Sequence, residues 1–368
     1  MHILHVVGAR PNFMKVAPVF RELASREGIR QTLVHTGQHY DAQMSDVFFQ
    51  QLGIPEPHAN LAVGSESHAC QTANIMVRFE SVVLKHRPDW VLVYGDVNST
   101  VAASLVCAKL WIKLAHVEAG LRSFDRSMPE EINRLVTDQL ADLLFTVALD
   151  GNENLAREGI SPTKIHFVGN VMIDTLVRML PAARASASRH TGPYALVTLH
   201  RPGNVDDIQW LKAMLEALHS ISDELPILFP LHPRTRKRLE AAGALALGTD
   251  KLRFLDPLPY LEFLGLQESA TVVITDSGGI QEETTFLGVP CLTVRESTER
   301  PVTVECGTNV LVGRDVQRLR CELEKVFAHK WKSGKVPSLW DGKAAERIAD
   351  VLANQSTPSN AASAASTA

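Results

Sequence analysis

The chain has 368 residues, beyond the roughly 250–300 at which one hydrophobic core stops growing, so two domains are expected. Hydrophobic residues make up 45% and charged residues 21%, ordinary for a globular enzyme, and a formal net charge of −4 argues against a nucleic-acid or acidic-membrane binder. Five cysteines without a C-x-x-C pair signal neither a zinc knuckle nor a disulfide framework, and no leader or long apolar run occurs, so a cytoplasmic protein is expected.

Short apolar runs alternate with amphipathic stretches. The first series of predicted strands is 3–7, 31–36, 90–95, 113–117 and 142–147, and the second is 194–199, 226–231, 252–255, 271–275 and 289–294. Helical spacing marks 66–86 and 207–222 among the segments between them. Near-continuous apolar strands separated by helices predict parallel sheets covered on both faces. The fold class is therefore α/β, with two Rossmann-like doubly wound domains. Residues 1–180 form the first, the small and polar "PAARASASRHTGP" (181–193) the linker, and 194–354 the second, with its last helix packing back on the first. The low-complexity tail, 355–368, reads as disordered.

Ligands of doubly wound domains sit at strand carboxyl ends, and those ends are rich in chemistry here. The first predicted strand runs into "GARPNFMK", with Gly8, Arg10 and Lys15 but without the further glycines of a dinucleotide fingerprint. "YGDVNST" brings Asp96, and "HVEAGLRS" brings Glu118 after a neighbouring strand. Glu130 stands in "SMPEEINR", where Ser127 and Glu130 have capping-box spacing, so a capping role competes with a catalytic one. In the second half His200 follows "LVTL". Ser277, Gly278 and Gly279 open a helix whose bare N–H groups suit a phosphate, and Glu282 or Glu283 could accept two ribose hydroxyls. Arg10, Lys15, His200 and Arg300 could together neutralise a diphosphate, and no D-x-D or clustered His/Asp pattern calls for a metal.

These motifs, from "GARPNFMK" to "TDSGGIQEE" and "ESTERP", resemble in order the non-hydrolysing UDP-N-acetylglucosamine 2-epimerases, over residues 3 to about 312. The resemblance implies the glycosyltransferase-B architecture with an interdomain active site, a homodimer, no cofactor, and interconversion of UDP-N-acetylglucosamine and UDP-N-acetylmannosamine. It implies Asp96, Glu118 and Glu130 as catalytic carboxylates, with His200 near the pyrophosphate. Arg10 and Lys15 match nucleotide and phosphate contacts, Ser277, Gly278 and Gly279 the phosphate-binding helix terminus, and Glu283 the ribose contact. Arg300 matches a further substrate contact and Phe263 an aromatic beside the uracil. Leu258 departs from the glutamine of several bacterial members. Tyr40 and Asp41, after Gln38 and His39, depart from allosterically controlled ones, which leaves activation at a second site unsupported. A nicotinamide mechanism is excluded: there is no G-x-G-x-x-G after the first strand and no Y-x-x-x-K pair. Alternatives are an epimerase of a diacetamido sugar or its uronate, with Arg122, Arg201 or Arg234 meeting a C6 carboxylate, a hydrolysing epimerase, a glycosyltransferase of the same fold, and a UDP-sugar sensor.

Overall fold

The computed structural model describes residues 1–38, 51–186 and 192–355. Its two compact units are Met1–Thr175 with the segment from Asp341 onward, and Leu176–Trp340.

The first unit holds a seven-stranded parallel sheet in the order β3-β2-β1-β4-β5-β6-β7. The strands are β1 (His2–Val7), β2 (Arg30–His35), β3 (Ala59–Asn60), β4 (Trp90–Tyr94), β5 (Lys113–Ala119), β6 (Leu143–Thr146) and β7 (Ile165–Phe167). β1 and β4 are buried along their whole length, as strands covered on both faces must be. Phe79 and Val83 from the helix His68–His86 meet Val91 and Val93 of β4 in one apolar core. Chain order reverses at the β1–β4 pair, so the turns after these two strands open at the switch point, where an open α/β sheet has room for a ligand.

The second unit repeats the plan with six parallel strands ordered β10-β9-β8-β11-β12-β13. They are β8 (Ala195–Thr198), β9 (Ile227–Pro230), β10 (Leu252–Leu255), β11 (Val272–Thr275), β12 (Cys291–Thr293) and β13 (Asn309–Leu311). Its switch point lies at the β8–β11 pair, beside His200 and the Ser277–Gly279 turn.

One expectation changes. The helix Val171–Ser186 runs through Pro181, so the first six residues of the expected linker are helical. Buried Met179 and Ala183 hold this turn against the core, which outweighs the lost N–H of the proline. Residues 187–191, and the expected tail from 356 onward, lie outside the described residues. The helix Ala344–Asn354 belongs to the first unit and packs on the helix Arg10–Ala24. Buried Asp174 accepts from Ala344 N (3.1 Å) and Ala345 N (2.7 Å) at its start, doing the work of an N-cap from another helix. Among the described residues no helix is long and apolar enough to cross a membrane.

Candidate active site

In the first unit, Asn12 builds the turn after β1. Its Oδ1 accepts from Gly8 N and Ala9 N, both at 3.0 Å, and its Nδ2 donates to Tyr94 O at 2.8 Å. One buried amide thus ties the end of β1 to the end of β4. Gly8 is glycine because a Cβ there would stand 2.0 Å from Ser99 Oγ. Ser99 Oγ in turn donates to Gln38 Oε1 at 2.8 Å, whereas His39, Tyr40 and Asp41 lie outside the described residues. Arg10 is the exposed first residue of the helix, and Lys15, one turn further on, is buried.

Lys15 Nζ lies 2.7 Å from Glu118 Oε2, and both side chains are buried. Gly95 makes room for the lysine: its φ is +63°, and a Cβ would come 2.6 Å from Lys15 Nζ. Glu118 itself has φ +77°, at a register shift in β5 between Val117 and Ala119. A left-handed conformation costs a non-glycine residue about 1–2 kcal/mol, and the surrounding contacts must hold it.

Asp96 follows β4, and its turn is stitched to β5 by Gly95 N donating to Val117 O at 3.0 Å. Arg134 Nη1 reaches Asp96 Oδ2 at 2.5 Å, and Asn133 Nδ2 donates to Asp96 O at 2.8 Å. Both come from the helix Pro129–Leu140, whose buried residues are Glu131, Asn133, Arg134, Thr137 and Asp138. A helix that buries only polar side chains is built to hold something other than an oily core. Glu131 accepts from Ser123 N (2.9 Å), Phe124 N (3.0 Å) and Arg134 Nη2 (2.8 Å). Burial pushes its carboxyl up, but these donors outweigh burial and hold it below the usual range.

The capping box expected of Ser127 and Glu130 does not form. The helix starts at Pro129 with Met128 as its N-cap, and Ser127 Oγ donates to Asp125 Oδ1 at 2.6 Å. The half-exposed Glu130 is therefore not used as a cap and sits in the first turn of the helix that holds Asp96. Arg122, a candidate for a substrate carboxylate, is already engaged. It is buried, bidentate to Glu158 (2.7 and 2.6 Å) and 2.8 Å from Asp138.

In the second unit, fully buried Asp276 organises the turn after β8. It accepts from His200 N (3.0 Å), Arg201 N (2.9 Å) and Asn204 Nδ2 (3.0 Å), and its Oδ1 lies 2.9 Å from His200 Nδ1. Burial raises this carboxyl, but His200 and the other donors outweigh it and hold the group low. The imidazole so oriented is 41% exposed and can meet a ligand.

Ser277 is the N-cap of the helix Gly278–Leu287, and its hydroxyl makes no capping bond, so the first-turn N–H groups remain directed out of the helix end. A Cβ on Gly278 would come 2.5 Å from Arg300 Nη1, so this glycine, followed by Gly279, admits the arginine. Arg300 Nε lies 2.9 Å from Glu282 Oε1, and its Nη1 pairs with Glu299. Buried Glu299 also binds Arg295 at 2.7 Å and lies 3.8 Å from Arg201 Nη2. Burial raises its carboxyl, yet the arginines drive it well below the usual range. Glu283 is buried and accepts from Tyr260 OH at 2.9 Å; burial pushes its carboxyl up to about 7. Phe263 and Leu258, half-buried or partly so, pack on the apolar cluster around Leu196, Leu228 and Leu266.

Asn12, Glu131, Arg134, Asp138, Asp276 and Glu299 went unassigned in the sequence. Asp276 had a local signal, an acid directly after an apolar strand and before a glycine turn. The helical acids and arginine had only the oddity of a helix segment whose polar residues fall three and four apart.

A family model described as UDP-N-acetylglucosamine 2-epimerase matches residues 21–353. The UDP-N-acetylglucosamine 2-epimerase of Methanocaldococcus jannaschii is 41% identical, covering 96% of this chain and 99% of the relative. The UDP-2,3-diacetamido-2,3-dideoxy-D-glucuronate 2-epimerase of Pseudomonas aeruginosa is 42% identical, with 96% and 99% covered. A crystal structure of the M. jannaschii UDP-GlcNAc 2-epimerase in complex with UDP-GlcNAc and UDP matches with TM-score 0.88 and 41% identity, over 96% of this chain and all of that one. With a family model over most of its length and relatives at this identity, the chain belongs to the UDP-N-acetylglucosamine 2-epimerase family.

Proposed function

We propose that the chain interconverts UDP-N-acetylglucosamine and UDP-N-acetylmannosamine by non-hydrolysing epimerisation at C2, as a cytoplasmic homodimer. The C2 hydrogen of a 2-acetamido sugar has no neighbouring carbonyl to acidify it, so direct enolisation is closed. Elimination is open: a carboxylate takes the C2 proton, the C1–O bond breaks, and UDP departs with the electron pair, leaving 2-acetamidoglucal. Re-addition of UDP at C1 with protonation on the other face of C2 gives the epimer. Two faces require more than one carboxylate, each contributing about 10²–10⁴ in rate as a general acid or base.

The observation that carries this reading lies beside the first unit's switch point, where Asp96 follows β4, Glu118 stands near the end of the paired strand β5, and Lys15 is clamped on Glu118. Glu130, on the helix that grips Asp96, is the third acid we assign to proton transfer. Arg10 and Lys15 serve the departing diphosphate from this unit. From the second unit we assign His200, the Ser277–Gly279 helix end and Arg300 to the diphosphate, Glu283 to the ribose hydroxyls and Phe263 to the uracil.

A second reading has an observation of its own: the 42% identity to the diacetamido-glucuronate epimerase. A C6 carboxylate would need a cation; Arg122 is committed to Glu158 and Asp138 and Arg234 to Asp206, which leaves Arg201, whose nearest carboxylate partner Glu299 is 3.8 Å away. Incubating the protein separately with UDP-N-acetylglucosamine and UDP-2,3-diacetamido-2,3-dideoxy-D-glucuronate decides between them. Turnover of the first supports our reading, and turnover of the second alone replaces it.

A further inference from the structure

The helix Pro129–Leu140 holds Asp96 through Arg134; one turn further on, Asp138 reaches the other acid-bearing turn. Asp138 is fully buried, and its two oxygens meet three donors. His116 Nδ1 donates to Oδ1 at 2.6 Å, Gly120 N donates to Oδ2 at 3.1 Å, and Arg122 Nη1 lies 2.8 Å from Oδ2. The other nitrogen of His116, Nε2, faces Gly95 O at 2.8 Å. Gly95 immediately precedes Asp96, and Gly120 lies two residues after Glu118. A single carboxylate is thus bonded directly to the Glu118 turn and, through one imidazole, to the Asp96 turn.

The ring's two partners are both acceptors. A peptide carbonyl cannot donate, and Asp138 is kept as a carboxylate by Arg122 at its other oxygen. Each ring nitrogen of the fully buried His116 therefore faces an acceptor, and the ring ties the two together only by donating from both sides. A buried charged pair is a poor stabiliser compared with apolar residues of the same volume, so its use here calls for geometry rather than stability as the reason. The geometry is demanding: Glu118 has φ +77° and Gly120 φ +81°, and a Cβ on Gly120 would stand 2.5 Å from Gly151 O. Asn154 Nδ2 donates to Gly120 O at 2.9 Å, while Asp138 holds the N–H of the same residue.

We propose that Asp138, acting through His116 and Gly120 N–H, is a positioning residue that fixes the Asp96 and Glu118 turns relative to each other. This rests on the reading that these acids move the C2 proton. The residue touches no substrate; it sets the spacing on which proton transfer at C2 depends, and a misplacement of about 1 Å can cost about 100-fold in rate.

The test is Asp138→Asn in the full chain, checked for folding by thermal melting. Asparagine keeps the volume but must present an N–H to one of the three donors. We expect kcat to fall about 100-fold, as for that misplacement, with UDP affinity by calorimetry unchanged, since UDP contacts are assigned mainly to the second unit. Should Asp138→Asn fail to fold, His116→Gln, which can serve only one of the two turns well, is expected to show the same split. In the wild type, nitrogen-15 NMR of His116 should show protons on both ring nitrogens. A folded variant with wild-type kcat, or one losing UDP affinity in step with kcat, overturns the proposal, as does a singly protonated ring. Absence of wild-type turnover would instead count against the functional reading, and the ring's protonation state would still judge this one.

Discussion

Replacing Glu283 by glutamine should change how stability depends on pH, in a direction that can be worked out beforehand. Glu283 is buried, hydrogen-bonded to Tyr260, and its carboxyl titrates at about 7 instead of 4.5 because burial penalises the charge. Its folded pKa is raised, so between about 4.5 and 7 the folded protein keeps a proton that the unfolded chain has lost. Unfolding free energy therefore falls as pH rises through this window, by about 3 kcal/mol in all, since one proton held across one pH unit is worth roughly 1.4 kcal/mol. Asp174, raised to about 6 by burial, adds a loss of the same sign over the lower part of the window. Glu131, Asp138, Asp276 and Glu299 are lowered, so their contributions disappear only as pH falls below the ordinary carboxylate range. Glu283→Gln mimics the protonated form at all pH values. Urea unfolding of ligand-free protein should show the variant close to wild type at pH 5 and more stable by up to about 3 kcal/mol at pH 8. Parallel pH profiles for the two proteins would refute the buried, neutral Glu283.

Other outcomes follow from single contacts. Asp96→Asn should lower kcat by about 10²–10⁴ while the substrate still binds, read by steady-state kinetics beside calorimetry. Lys15→Met leaves the buried Glu118 without its Lys15 partner and should cost about 3–5 kcal/mol in chemical denaturation, with a change under about 1 kcal/mol speaking against a tight pair. Gly278→Ala puts a methyl 2.5 Å from Arg300 Nη1 and should weaken UDP binding about tenfold, roughly 1.4 kcal/mol; unchanged affinity would mean that this helix end does not hold the diphosphate.

Strand-end chemistry was the most legible part of the chain. Gly8, Asp96, Glu118 and Ser277 lie next to apolar runs whose length and composition already say strand, so their neighbourhood could be read without tertiary information. The short edge strands β3, β7 and β13 were missed because two or three residues carry no period. Pro181 reads as a stop signal, yet packing of Met179 and Ala183 overrides it. The Ser127–Glu130 spacing fits a cap, but the helix begins later, at the preorganised Pro129. What stayed hidden is the layer behind the acids. Arg134 and Asp138 reach turns 38 and 18 residues away, and nothing local distinguishes them from the solvated charges of an ordinary helix face.

Proton NMR of the purified protein with UDP-N-acetylglucosamine in D₂O tests the central claim most directly. The expected product is UDP-N-acetylmannosamine carrying deuterium at C2, with UDP kept on the sugar at equilibrium. Epimer that retains its original C2 hydrogen, or free sugar released in place of the UDP-linked epimer, would contradict it.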